Sequence, residues 1–144
     1  MEADFPGPAG LSGDETRRRG RTLIGYVTLG TNDFERAAQF YDSLLESIGG
    51  KRLMNLERFI LWGRSFSESC LAIAKPFDGN PATVGNGVMV ALQVESKDAV
   101  GALHRKALEL GAQDEGAPGP RGDGFHAGYF RDLDGNKLNA FFLG

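Results

Sequence analysis

The chain has 144 residues, 41% of them hydrophobic, with a formal net charge of −3 at neutral pH and one cysteine, Cys70. That is enough apolar surface for one domain with its own core, and too few cysteines for an internal disulfide framework. There is no basic face to neutralise duplex phosphates, no apolar run near the roughly eighteen residues of a membrane span, and no apolar segment in residues 1–20 to act as a signal peptide. Nucleic acid and membrane are therefore not expected partners, and a soluble cytoplasmic protein is expected.

Residues 1–20 are rich in Gly, Pro, Asp, Glu and Arg and lack apolar periodicity, so they read as a disordered leader, with Arg17, Arg18, Arg19 and Arg21 as a solvated basic cluster. A single domain is expected over 21–144. It opens with a β-rich stretch, 22–29, whose alternation puts Ile24, Tyr26 and Thr28 on one face and Leu23, Val27 and Leu29 on the other. Asn32 with Glu35 forms a candidate capping box. The helix that follows is marked by Phe34, Ala37, Ala38, Tyr41, Leu44, Leu45 and Ile48 at helical spacing, and Gly49 is its expected stop.

Residues 51–56, 59–63 and 70–75 are three short β-like runs, which makes the first unit βαβββ. Cys70 lies in one of these runs and reads as a buried structural thiol. Residues 76–86, with their Pro and Gly, read as a linker. The pattern then repeats. Residues 88–94 form a strand, Ser96 is a candidate N-cap, and Ala99, Val100, Leu103, Ala107 and Leu110 define a second helix stopped by Gly111. His104 falls on or beside that stripe and reads as a packing or surface histidine. Residues 112–115 suit a short strand, and 116–124 read as a Gly/Pro loop.

The chain closes on a hairpin centred on Asp134-Gly135, where Gly supplies positive φ and Asp a side-chain bond to its own backbone. A calcium loop through Asp132, Asp134 and Asn136 fails, because the Gly and the closing Glu of such a loop are out of place. The two units match in order, Tyr26 corresponding to Met89 and Asp33 to Ser96. The expected fold is α+β: two βαβββ modules, about 22–75 and 88–144, forming a curved eight-stranded mixed sheet around a cup, with the helices on its outer face.

Three stretches, 26–41 (YVTLGTNDFERAAQFY), 81–87 (PATVGNG) and 131–139 (RDLDGNKLN), together resemble the glyoxalase/bleomycin-resistance/extradiol-dioxygenase family, the vicinal oxygen chelate superfamily. Leu133 stands where that family usually has Pro. The resemblance implies paired modules closing a cavity, often in a dimer, and in family enzymes a divalent metal held by His or carboxylate side chains. Here Tyr26 and Met89 occupy two positions of the expected histidines and Asn139 that of the expected Glu. A phenol, a thioether and an amide do not make a divalent-metal site, so no metal or cofactor is expected.

By strand alternation Tyr26 and Thr28, Met89 and Gln93, and Asn139 and Phe141 would line the cup, with Trp62 as a further wall or core residue. Tyr26 and His126 are the candidates for any surviving acid–base chemistry. Arg64 and Arg131 read as solvated strand-end arginines, or as forks for an anionic substrate. The expected function is binding of a small apolar or aromatic molecule by a homodimer. The alternatives are a lyase, isomerase or dioxygenase of the same superfamily, metal-free or using other metal ligands, and a ligand-free dimeric scaffold.

Overall fold

In the computed structural model, which describes residues 22–144, the first module runs β1 (Tyr26–Gly30), α1 (Phe34–Glu46), β2 (Lys51–Asn55), β3 (Phe59–Gly63) and β4 (Cys70–Ala74). The second runs β5 (Val90–Gln93), α2 (Lys97–Glu109), β6 (Gln113–Pro120), β7 (Phe125–Arg131) and β8 (Lys137–Leu143). The leader expected at residues 1–20 lies outside the described residues. Each module is therefore βαβββ, as its hydrophobic periods imply. The eight strands are hydrogen-bonded as two four-stranded mixed sheets, ordered β1-β4-β3-β2 and β5-β8-β7-β6. In both, the first strand lies parallel to the last, because the intervening helix carries the chain across, and the other pairs are antiparallel hairpins.

Alternation assigns the two faces of each sheet. Val27, Leu29, Ile60, Trp62, Leu71 and Ile73 pack with Phe40, Tyr41, Leu44 and Leu45 of α1. Leu92, Phe130, Leu138 and Ala140 pack in the same cluster with Val100, Leu103 and Ala107 of α2. One core thus joins both helices and the helix-side face of both sheets. Among the described residues, the two modules meet through regular elements only at α1 and α2, and β1 and β5 are not in contact.

Three local details depart from the sequence pattern. The N-cap of α1 is Asp33, which accepts from the Arg36 backbone N–H, and not Asn32. Asn32 is instead drawn off to the linker, as described below. The Gly/Pro stretch expected to be a loop is largely strand, since β6 continues to Pro120 with register shifts on either side of Gly116. Proline and glycine are tolerated there because β6 is an edge strand, with its outward N–H groups unneeded by any neighbour.

The closing hairpin turns at Gly135, with φ of 91°. The aspartate that organises the turn is Asp132 and not Asp134: its Oδ1 accepts from the N–H groups of Asp134 (2.9 Å) and Asn136 (2.8 Å). Asp134 reaches to the first module, where its Oδ1 accepts from the Asn32 N–H at 2.8 Å. Asn136 Nδ2 donates to the Gly30 carbonyl at 3.0 Å. The last turn of the chain is thereby fastened to the junction of β1 and α1.

Candidate functional site

On the face of the first sheet opposite α1, Tyr26 and Thr28 of β1 stand beside Phe59 and Leu61 of β3 and Ala72 of β4, in the order the pairing register requires. Phe59 is buried, and its ring meets that of Tyr26 edge-on at 5.9 Å between centroids. The linker between modules crosses in front of this face. Asn32 holds it with a reciprocal pair of hydrogen bonds, Nδ2 donating to the Ala82 carbonyl (3.0 Å) and Oδ1 accepting from the Ala82 N–H (2.7 Å). Gly30 permits the approach, since a Cβ there would lie 3.0 Å from that of Ala82.

Sheet and linker bound a cavity of about 520 Å³ that is open on one side. Its floor is Tyr26, Thr28, Gly30, Phe59 and Ala74, and its wall is Lys75, Pro76, Phe77, Asp78, Pro81, Ala82 and Thr83. The linker was legible as irregular chain from its Pro and Gly. Its role as a wall was not, because no local pattern encodes which sheet face a connection crosses.

A second space of about 640 Å³ follows the crevice between the modules. Met89, Ala91, Gln93 and Phe141 line it, together with Val27, Leu45, Ile48 and Trp62 from the first module. The residues expected to share one cup are thus divided. Tyr26 and Thr28 open into the linker-walled cavity, whereas Met89, Gln93, Phe141 and Trp62 line the crevice. Trp62 belongs to the helix-side core, where its Nε1 donates to Asp42 of α1 at 2.9 Å. Asn139 lines neither space and is only 1% exposed.

His126 shares its strand face with Gly128 and Phe130, and that face is turned to α2: a Cβ on Gly128 would lie 3.2 Å from the His104 ring. His126 and Tyr26 are therefore not brought together. His104 is buried, with Nε2 between Asp114 Oδ1 (3.1 Å) and the Tyr129 carbonyl (3.2 Å). Asp114 is held below the usual carboxylate range, first by the N–H of Gly116 and then by His104. Arg131 is engaged by Glu115 and the Gly135 carbonyl, and Arg64 by the Ile48 carbonyl and Glu68. Neither arginine forms a fork into the linker-walled cavity.

The metal that the fold family implies finds no fitting donor set at Tyr26, Met89 and Asn139. Asn139 presents a sealed amide whose Oδ1 has no hydrogen-bond partner, and the other two offer a phenol and a thioether. Among the described residues no group of three or more His, Cys, Asp or Glu side chains is placed to hold an ion. No described helix is long and apolar enough to cross a membrane.

Two βαβββ modules, each with its helix packed on one face of its own four-stranded sheet, define the class of fold. The chain belongs to the Glyoxalase/Bleomycin resistance protein/Dioxygenase superfamily, whose family model matches residues 23–140. A glyoxalase/bleomycin resistance protein from Albidiferax ferrireducens T118 is similar at 31% identity, over 83% of this chain and 97% of that one, with a TM-score of 0.76. The fold is shared with the fosfomycin resistance protein FosX of Mesorhizobium loti (16% identity, 85% and 92% covered, TM-score 0.61). It is shared as well with a lactoylglutathione lyase of Agrobacterium tumefaciens (18% identity, 83% and 92% covered, TM-score 0.61). No curated protein matches the chain at a significant level.

Proposed function

We propose that this protein is a metal-free member of its superfamily that binds a small apolar or aromatic molecule in the cavity between the first sheet and the linker. The observation that carries this reading is the cavity itself, about 520 Å³ with Tyr26, Phe59, Phe77, Pro81 and Ala82 around it, which is a size and composition suited to a compact organic ligand. Apolar burial would supply the affinity, and Tyr26 and Thr28 would orient the ligand through their hydroxyls. Sequestration suits this lining better than acid–base catalysis, since His126 is turned toward α2.

The same reading includes a homodimer in a cytoplasmic setting. Tyr26 (45% exposed) and Met89 (40% exposed) stand on separate, incompletely covered surfaces, and a second copy that brings its second module over the first sheet would enclose both.

The test is a fluorescence titration with the neutral dye N-phenyl-1-naphthylamine. The wild type is expected to bind it saturably, and Thr28→Trp, which fills the cavity from its floor, to weaken binding by about tenfold or more. Binding unchanged by Thr28→Trp would overturn the assignment of the cavity.

A further inference from the structure

Beside the linker-walled cavity lies a smaller one of about 290 Å³, bounded by Thr31, Asn32, Phe34, Arg58, Asn80 and Gly79, and also by Lys75, Pro76 and Pro81. Those last three residues line both spaces, so the two are neighbours on either side of Lys75, Pro76 and Pro81. The smaller space differs in chemistry. Two cations and two amides line it, and no Asp or Glu does.

Both cations are positioned by contacts that leave their charge unspent. Arg58 sits in the turn between β2 and β3, where its carbonyl accepts from the Lys75 N–H (3.0 Å) and its Nη2 donates to the Pro76 carbonyl (2.9 Å). Lys75 lies with Nζ 5.6 Å from the centre of the Phe34 ring, at the start of α1. Neither forms an ion pair among the described residues. Of the carboxylates around them, Asp33 caps α1, Asp78 accepts from the N–H and Nδ2 of Asn80 (2.9 and 3.1 Å), and Glu57, which precedes Arg58 in the chain, forms no ion pair among the described residues. Two unpaired cations on one concave surface repel each other and favour whatever brings negative charge between them.

We propose that the ligand is amphipathic: an apolar or aromatic body in the larger cavity, carrying one anionic group, a carboxylate, sulfonate or phosphate, that enters the smaller one between Arg58 and Lys75. This rests on the cavity reading given above and adds the charged end of the ligand to it. Arg58 would present its remaining N–H groups as a fork, and Lys75 a point charge at the boundary where body and head group join.

The experiment compares two dyes with a common naphthyl-aniline body, neutral N-phenyl-1-naphthylamine and anionic 8-anilinonaphthalene-1-sulfonate, by fluorescence titration of the full chain. The sulfonate is expected to bind about tenfold more tightly at low salt, with the preference shrinking as ionic strength rises. Arg58→Gln should abolish the preference, leaving the neutral dye within about twofold of wild type. Lys75→Gln should weaken the sulfonate as well.

Lys137→Gln, which removes a cation set over the Tyr129 ring on the other sheet, should leave sulfonate binding unchanged. Equal affinity for the two dyes, or a preference that survives Arg58→Gln or is lost on Lys137→Gln, would overturn the anionic subsite while leaving the cavity reading intact. Binding of neither dye would overturn both.

Discussion

Tyr41 of α1 donates a hydrogen bond of 2.6 Å to Oδ2 of Asp132, 91 residues further along the chain. Both residues are buried, and the same carboxylate accepts from two backbone N–H groups of its own turn and from Asn136 Nδ2 (3.0 Å). This carboxyl group forms no ion pair among the described residues and is held by four donors, one of them from the other module.

Tyr41→Phe removes that donor while keeping the ring, and is expected to lower stability by about 1.5–3 kcal/mol, the range for a hydrogen bond to a charged group. Burial, and then Asp132, hold the Tyr41 phenol well above its ordinary range. Because the folded state keeps the proton, the phenol's stabilising contribution is intact below the unfolded pKa of about 10 and falls away as pH rises above it. Urea denaturation from about pH 9 to 11 should show stability falling, and falling less in Tyr41→Phe.

At the acid end the group to watch is Asp42. Arg52 lies 2.8 Å from it in a two-bond pair, and Trp62 donates to the same carboxylate. These bonds, Arg52 foremost, hold its pKa below the usual range. A depressed carboxyl stabilises the fold above its unfolded pKa of about 3.9 and loses that contribution as pH falls through the folded value. Since both partners are about a third or more exposed, the pair is worth no more than about 1 kcal/mol. Asp42→Asn should therefore flatten the acid limb of a melting curve read from the single Trp62 slightly but measurably.

Two glycines should respond in opposite directions. Gly135 has φ of 91°, where an L side chain is strained although the nearest atom to a built Cβ, on Val84, is 3.7 Å away. Gly135→Ala is expected to cost about 1–2 kcal/mol. Gly101 lies inside α2 with open space at its Cβ position, so Gly101→Ala should stabilise by about 0.5–1 kcal/mol. Thermal denaturation of the two variants checks the pair.

The dimer proposal has its own test in restored ligands. Tyr26→His, Met89→His and Asn139→Glu together supply two imidazoles and a carboxylate, a set suited to Zn(II) or Fe(II). Tyr26 and Met89 face different spaces in one chain, so the triple variant is expected to hold stoichiometric metal only as a dimer. Size exclusion with elemental analysis decides it: metal in a monomer fraction would count against the shared cup.

Much of the fold was legible because its signals are local. The stripes of α1 and α2, the Ser96 cap, the turn at Gly135 and the repeated βαβββ order follow from periods of 3.6 and 2 and from residues whose backbone preferences operate over four or five positions. Strand alternation likewise grouped Tyr26 with Thr28, and Asn139 with Phe141. It could not say which of the two groups on a strand faces the helix.

That choice was made by tertiary packing. Trp62 and His126 went to the helix side, and β6 ran through a Gly/Pro stretch because its neighbour β7 left it at the sheet edge. Asn32 exchanged its capping role for the linker, and with it gave the cavity a wall. The same packing parted Tyr26 from Met89, because both helices and the helix-side residues of both sheets are buried in one core, and the gain from that burial is summed over residues far apart in the chain.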